Sequence, residues 1–361
     1  MSWPEQRARF PVLDRFAYLN AGTFGPLARE TLLAMAKLRV WEGDHGRGGS
    51  EYFNTMLERR ERVRGLLADQ IRVPAEHVVL TDSTTQGVHI VVSGLDLDEV
   101  VTTDAEHFGL TGPLIASGAR LRIANVAGAH PDALFDLITA QVTSKTKLIA
   151  ISAVSWLDGS VFPWRELREA TGLPVLVDGA QSAGALDVDA ADADYYTVSA
   201  QKWLCGPDAT GGLYIRDPDA LTPRLVAYPS AESYDIAAGT WEPKGGARKF
   251  DALFTPATSL AGLEAALTDL PDGRFARARE LSDRCRSTLL DHGHEVVSEP
   301  GQGTLVTFRW SGDTEAAAAA LYDRGVILRE LKGTGTLRAS VGWWNDGSDI
   351  ERLVEGLAAI S

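Results

Sequence analysis

The strongest constraint on this chain is an alternation. Between residues 78 and 216, seven short runs rich in β-branched and apolar residues are separated by stretches of helical character. The runs are VVLT (78–81), EVVTT (99–103), LRIANV (121–126), KLIAISAV (147–154), PVLVD (174–178), DYYTVS (194–199) and GGLYIR (211–216). Strands that run the same way in one sheet need crossover connections, and helices packed on the sheet faces supply them. The pattern therefore predicts an α/β fold whose seven-stranded, mostly parallel sheet carries helices on both faces. Helical stretches at 84–94, 108–117, 131–142 and 163–171 fall between the runs, several opening on Thr or Pro as helix N-termini do.

Outside this block the pattern changes. Residues 28–40 and 51–70 read as helices, preceded by YLNAGTFGPL. From about 218 to 258 the chain is rich in Pro, Gly and Ser and reads as a long excursion over the surface, a kind of loop that is often functional. SLAGLEAALTDL and RFARARELSDRCRSTLLDHG then read as amphipathic helices. Strands TLVTFRW and LRASVGWW and a last helix, ERLVEGLAAI, follow them. The expected organisation is an N-terminal segment (1–27), a large α/β domain (28–257) and a smaller α+β domain (258–361).

Composition narrows the function. A formal charge of -14 argues against nucleic acid as a partner, because such affinity rests on clustered Lys and Arg. No apolar run is long enough to cross a bilayer and MSWPEQRARF is not a signal segment, so no membrane association and a cytoplasmic location are the expectations. Two cysteines, Cys205 and Cys285, form neither a disulfide framework nor a zinc pattern, and no metal site is expected.

In an open parallel sheet ligands bind beyond the carboxyl ends of the strands, so polar residues just after each strand come first. TDSTTQG (81–87) follows a strand and opens a helix; its amides and the hydroxyls of Ser83, Thr84 and Thr85 suit a phosphate, although an ordinary helix cap has the same composition. AEHFG (105–109) places His107 near a strand end, where a lone histidine is commonly just a hydrogen-bonded residue. VDGAQSAG (177–184) ends the most apolar strand with Asp178, which calls for a cationic partner. VSAQKWLCGP (198–207) sets Lys202 after the sixth strand, between Gln201 and Trp203, a poor setting for a solvated surface lysine. Taken in order, these are the parts of a site for pyridoxal 5'-phosphate (PLP): an amine for the aldehyde, a phosphate cradle, a carboxylate for the pyridinium nitrogen and a stacking face.

Together with YLNAGTFGP, KFDALFTPAT and LRASVGWWN, these motifs resemble the class V aminotransferase group of fold type I PLP enzymes over nearly the whole chain. That group includes cysteine desulfurases, kynureninases, isopenicillin N epimerase-like proteins and sulfoxide lyases. The resemblance implies that Lys202 forms the Schiff base, Asp178 keeps the pyridine nitrogen protonated, Gln181 touches the phenolic oxygen and His107 stacks on the ring. It implies phosphate contacts from Thr84, Thr85, Ser199 and Gln201, and from Thr255 reaching across a homodimer whose subunits share the site. Arg338 would bind the substrate carboxylate, with Asn20 and Trp156 lining the substrate side.

Three departures carry information. Gln201 stands where the family commonly has histidine, and it can still donate to a phosphate. Trp156, in SAVSWLDG, stands at or beside a common asparagine and narrows the substrate side. ILRELKGTGTLRAS (327–340) lacks the cysteine that desulfurases carry before the carboxylate-binding arginine, and neither Cys205 nor Cys285 replaces it by position. The expected activity is therefore β-elimination from an S-substituted cysteine or its sulfoxide, giving pyruvate and ammonia. Transamination or epimerisation is the alternative. Trp343 and Trp344 could, with Trp156, wall a pocket for a bulky or cationic S-substituent, although core packing is the commoner fate of such residues.

Overall fold

The computed structural model describes residues 1–252 and 254–360. Its centre is the seven-stranded sheet. The strands are β1 (Val78–Thr81), β2 (Glu99–Thr103), β3 (Arg120–Ala124), β4 (Thr146–Ser152), β5 (Val175–Asp178), β6 (Tyr195–Ser199) and β7 (Gly211–Ile215), in spatial order β1-β7-β6-β5-β4-β2-β3. Pairs β6–β5, β5–β4, β4–β2 and β2–β3 are parallel, and β7 runs antiparallel to both its neighbours. The carboxyl ends of β1 to β6 thus share one edge, and the turns leaving that edge carry the residues singled out above.

Away from the edge strand β3, whose Arg120 and Ile123 are exposed, both faces of the sheet are buried, which is why its strands read as largely apolar runs rather than alternating ones. Leu80, Val101, Ile149, Ile151, Val177 and Val198 lie in one core, while Val79, Val100, Leu148, Ala150, Leu176 and Leu213 lie in the core on the opposite face. Helix α1 (Arg29–His45) packs on α7 (Ala257–Thr268), and α7 also meets α2 (Gly49–Gln70). Between the strands lie α3 (Thr84–Gly94), α4 (Phe108–Ala116), α5 (Leu134–Thr139) and α6 (Trp164–Thr171). The stretch read as a helix over 131–142 is shorter: Pro131–Ala133 forms a 3-10 turn before α5.

The second layer is an antiparallel sheet of β8 (Leu305–Arg309), β10 (Thr336–Ser340) and β9 (Arg329–Leu331), with β10 in the middle. Helices α8 (Arg274–Asp291), α9 (Thr314–Asp323) and α10 (Gly347–Ala358) accompany it. The N-terminal segment is stitched to this layer. Ala17 and Tyr18 pair in parallel with Val326 and Ile327, and Asn20 bridges to Ser340. Arg7 grips the buried Asp349 through both guanidinium nitrogens, at 2.6 and 2.9 Å. The surface excursion contains a hairpin, Ala231–Asp235 with Thr240–Pro243, whose residues are largely exposed. Among the described residues no helix is long and apolar enough to cross a membrane.

Candidate active site

Lys202 and Asp178 meet because β5 and β6 are adjacent and parallel, so the turns after them open on the same edge. Asp178 is buried; its Oδ1 accepts from the Ala180 N–H at 2.9 Å and from the Thr197 hydroxyl at 3.3 Å. Removal of the Lys202 amine from water pushes its pKa down to about 8, opposed by the Asp178 charge and aided by Arg338. Such a lysine is a usable base and nucleophile close to neutral pH.

His107 caps α4, its Nδ1 accepting from the Gly109 N–H at 3.0 Å, which leaves the proton on Nε2. Desolvation first, and then the charges of Lys202 and Arg338, hold the imidazole below its usual range, so it presents a neutral face. The Trp156 indole stands nearly perpendicular to the His107 ring, centroids 5.3 Å apart. The Trp156 carbonyl accepts from Arg338 Nη1 at 2.7 Å, so one residue links the stacking side to the carboxylate side.

Arg338 is 2 % exposed, its pKa pushed down to about 10 by burial, with Arg329 opposite it on β9 contributing. Its Nε has no partner. A buried guanidinium with unused donors is an incomplete arrangement, and a planar carboxylate completes it.

The N-terminal loop threads between these groups. Gly22 gives its carbonyl to Gln181 Nε2 at 2.9 Å, and a Cβ on it would lie 2.8 Å from Arg338 Nη2. The Gly25 N–H donates to the Gln201 carbonyl at 2.8 Å, and a Cβ there would lie 2.0 Å from the Lys202 carbonyl oxygen. Both glycines are thus required by close approach. Asn20 accepts from the Thr23 hydroxyl at 2.9 Å, and Gln181 Oε1 accepts from Trp203 Nε1 at 3.0 Å.

Thr84 and Thr85 form the first turn of α3, where helix N–H groups lack intrahelical partners, and Ser83 caps it. Ser199 is buried at the end of β6. Gln201 Oε1 and Thr255 Oγ1 are buried with no hydrogen-bond partner among the described residues. Among the described residues no hydrogen bond ties Thr255 to this group; it follows the exposed Phe254 and precedes α7.

Trp343 and Trp344 are 3 % and 1 % exposed and pack with Phe10 and Trp203, so they are core and not open pocket walls. Glu106, inside the AEHF motif, was not singled out; it accepts from Ser152 and Thr103 beside Asp178. Both thiols are inert: Cys205 and Cys285 are buried, and desolvation raises both, Cys285 to about 12.

The residues present fit PLP. A lysine with its pKa depressed, a buried aspartate, a histidine held uncharged, and the first turn of α3 together with Ser199 suit its aldehyde, ring nitrogen, ring face and phosphate.

Comparison with known proteins agrees. The sequence model of the class V aminotransferases matches residues 18–353. A cysteine desulfurase of Serratia proteamaculans is 30% identical, the alignment covering 100% of this chain and 99% of that one. Isopenicillin N epimerase of Streptomyces clavuligerus is 26% identical over 99% and 98%. The cystine C-S lyase C-DES, solved with its reaction product cysteine persulfide, superposes with a TM-score of 0.88 at 26% identity over 97% of this chain and 99% of that one. A C-DES variant with glycine covalently linked to its PLP cofactor gives 0.88 at 27% over 98% of each chain. The chain belongs to the aminotransferase class V family, with the fold type I architecture and PLP as its cofactor.

Proposed function

We propose that this protein is a carbon–sulfur lyase that eliminates the sulfur substituent from an S-substituted cysteine, its disulfide or its sulfoxide, leaving pyruvate and ammonia. The observation that carries the reading is the β9–β10 hairpin. Residues 332–335 turn tightly, Gly333 and Gly335 taking positive φ, and no thiol stands in it beside the carboxylate-binding arginine. With both cysteines buried, sulfur has no protein acceptor and leaves on the product. The kinship with a cystine C-S lyase supports the same class.

Each residue has a stated task. Arg338 holds the α-carboxylate, and Asp178 keeps the ring nitrogen protonated. Thr84, Thr85, Ser199 and Gln201 hold the phosphate, Gln181 meets the phenolic oxygen and Asn20 faces the substrate. Bound PLP supplies an electron sink for charge that develops at Cα. Lys202 Nζ, poised near neutral pH, takes the α-proton. The Cβ–S bond then breaks with its electron pair going to sulfur, and water completes the release of pyruvate and ammonia. Trp156 limits what sits beyond Cβ.

A homodimer completes the reading: Thr255 would serve the partner's phosphate. Leu32, Leu33 and Val40 on α1, with Phe24 and Phe53, expose 44–65 % of their surface, an apolar excess that a second copy would cover. Incubating the holoenzyme with cystine and a panel of S-substituted cysteines and sulfoxides, and assaying pyruvate, tests the activity. No pyruvate from any of them, with racemisation or keto-acid formation instead, would establish the epimerase or aminotransferase alternative, which the epimerase kinship supports.

A further inference from the structure

Glu106 is the titratable group of the site that has no task in the reading above. It stands one position before His107, in the turn between β2 and α4. Its Oε2 accepts from the Ser152 N–H at 3.0 Å and from the Ser152 hydroxyl at 2.5 Å, and its Oε1 from the Thr103 hydroxyl at 2.8 Å. One carboxyl therefore clamps the ends of β2 and β4. Ser152 lies directly opposite Asp178 in the ladder, so the two acids sit at neighbouring strand ends.

The charges around this pair are few. Asp178, from β5, acts on Glu106 directly; His107 on the same turn, Lys202 beyond β6 and Arg338 on β10 act on one another and share Asp178 as neighbour. Thr103 and Ser152 are neutral donors. Desolvation, reinforced by Asp178, pushes Glu106 up to about 7 in spite of its three hydrogen bonds. A carboxyl buried beside another holds its proton into the neutral range.

We propose that Glu106 is a positioning residue for the cofactor ring: it ties the His107 turn to the strand ends beside Asp178, and its charge state sets how strongly Asp178 holds the ring cation. The proposal rests on the cofactor and holds whichever reaction follows. When Glu106 loses its proton, a second negative charge stands behind Asp178 and the protonated ring nitrogen is bound more tightly. Glutamine keeps the two Ser152 hydrogen bonds on its carbonyl oxygen, turns the Thr103 hydroxyl from donor to acceptor, and loses this response.

The test measures the PLP dissociation constant of the apoprotein, by quenching of tryptophan fluorescence, for wild type and Glu106→Gln from about pH 5.5 to about pH 8.5. The variant-to-wild-type ratio is expected to be close to one at the acid end and to rise to about tenfold at the alkaline end, a coupling of about one pKa unit. A ratio that stays flat across the range, with PLP bound by both proteins, overturns this proposal alone. Failure of wild type itself to bind PLP removes the cofactor and this proposal with it. If Glu106→Gln does not fold, carboxyl-carbon NMR of the apoprotein decides: the Glu106 midpoint should fall by about one unit in Asp178→Asn, and an unchanged midpoint overturns the coupling.

Discussion

The two walls of the site are built differently. The wall at the sheet edge, with Asp178, Glu106, His107 and Lys202, is wired in advance: both acids and the histidine already spend hydrogen bonds on neighbouring backbone or side chains. The wall formed by the second layer, with Arg338, has unused donors and a tilted indole beside it. A cofactor that stays bound suits the first kind of surface. A substrate that comes and goes suits the second, since unsatisfied groups are paired only while it is present.

Substitutions at the two walls should therefore fail in different ways. Replacing Lys202 by Ala removes the base at the wired wall, and turnover should fall by at least about 10³-fold while PLP remains bound noncovalently, as pyruvate assays and absorbance would show. Arg338→Ala strikes the other wall; kcat/KM should drop by about 10²-fold with little change in cofactor affinity. Loss of PLP along with substrate would break the contrast. Trp156→Ala should shift relative kcat/KM toward bulkier S-substituents by about tenfold, leaving the cofactor spectrum in place.

Two smaller effects concern stability. Asp349→Ala takes from Arg7 the buried one of its two carboxylate partners, leaving Asp346 at 3.2 Å, and should cost about 2 kcal/mol in denaturant unfolding. The folded apoprotein holds a proton on Glu106 between the ordinary 4.5 and about 7 that the unfolded chain has lost, so its contribution to stability falls as pH rises through that window. Glu106→Gln should flatten that slope, which unfolding curves at several pH values can read.

Legibility follows the same division. The strands were readable to within a residue or two because most are buried on both faces and rich in β-branched residues; β3, at the sheet edge, is partly exposed and carries Arg120 and Arg122. Lys202, Asp178 and His107 could be picked out as candidates because each lies at, or within four residues of, the carboxyl end of a strand. The hairpin 231–243 was not: its residues are largely exposed, so no buried face imposed a period. Ala17 and Tyr18 form a strand two residues long, defined wholly by partners at Val326 and Ile327. Glu106 was hidden for a similar reason, since its tie to Ser152 spans 46 positions that sequence order does not join. Trp343 and Trp344 stayed open between pocket and core, because aromatic residues near Arg338 look the same in sequence whether they face a ligand or Phe10.

The close approach at Gly25 has a mechanical side. The chain leaves the small sheet at Asn20, where Ser340 is its partner two positions from Arg338, makes one turn with the Thr23 and Phe24 N–H groups on the Asn20 carbonyl, and lands on the backbone of Gln201 and Lys202. That stretch is a leash five residues long, with its slack coiled in a single turn. The strand of Arg338 cannot draw away from Lys202 without uncoiling it, so the separation of these two side chains is gauged by backbone before anything closes between them.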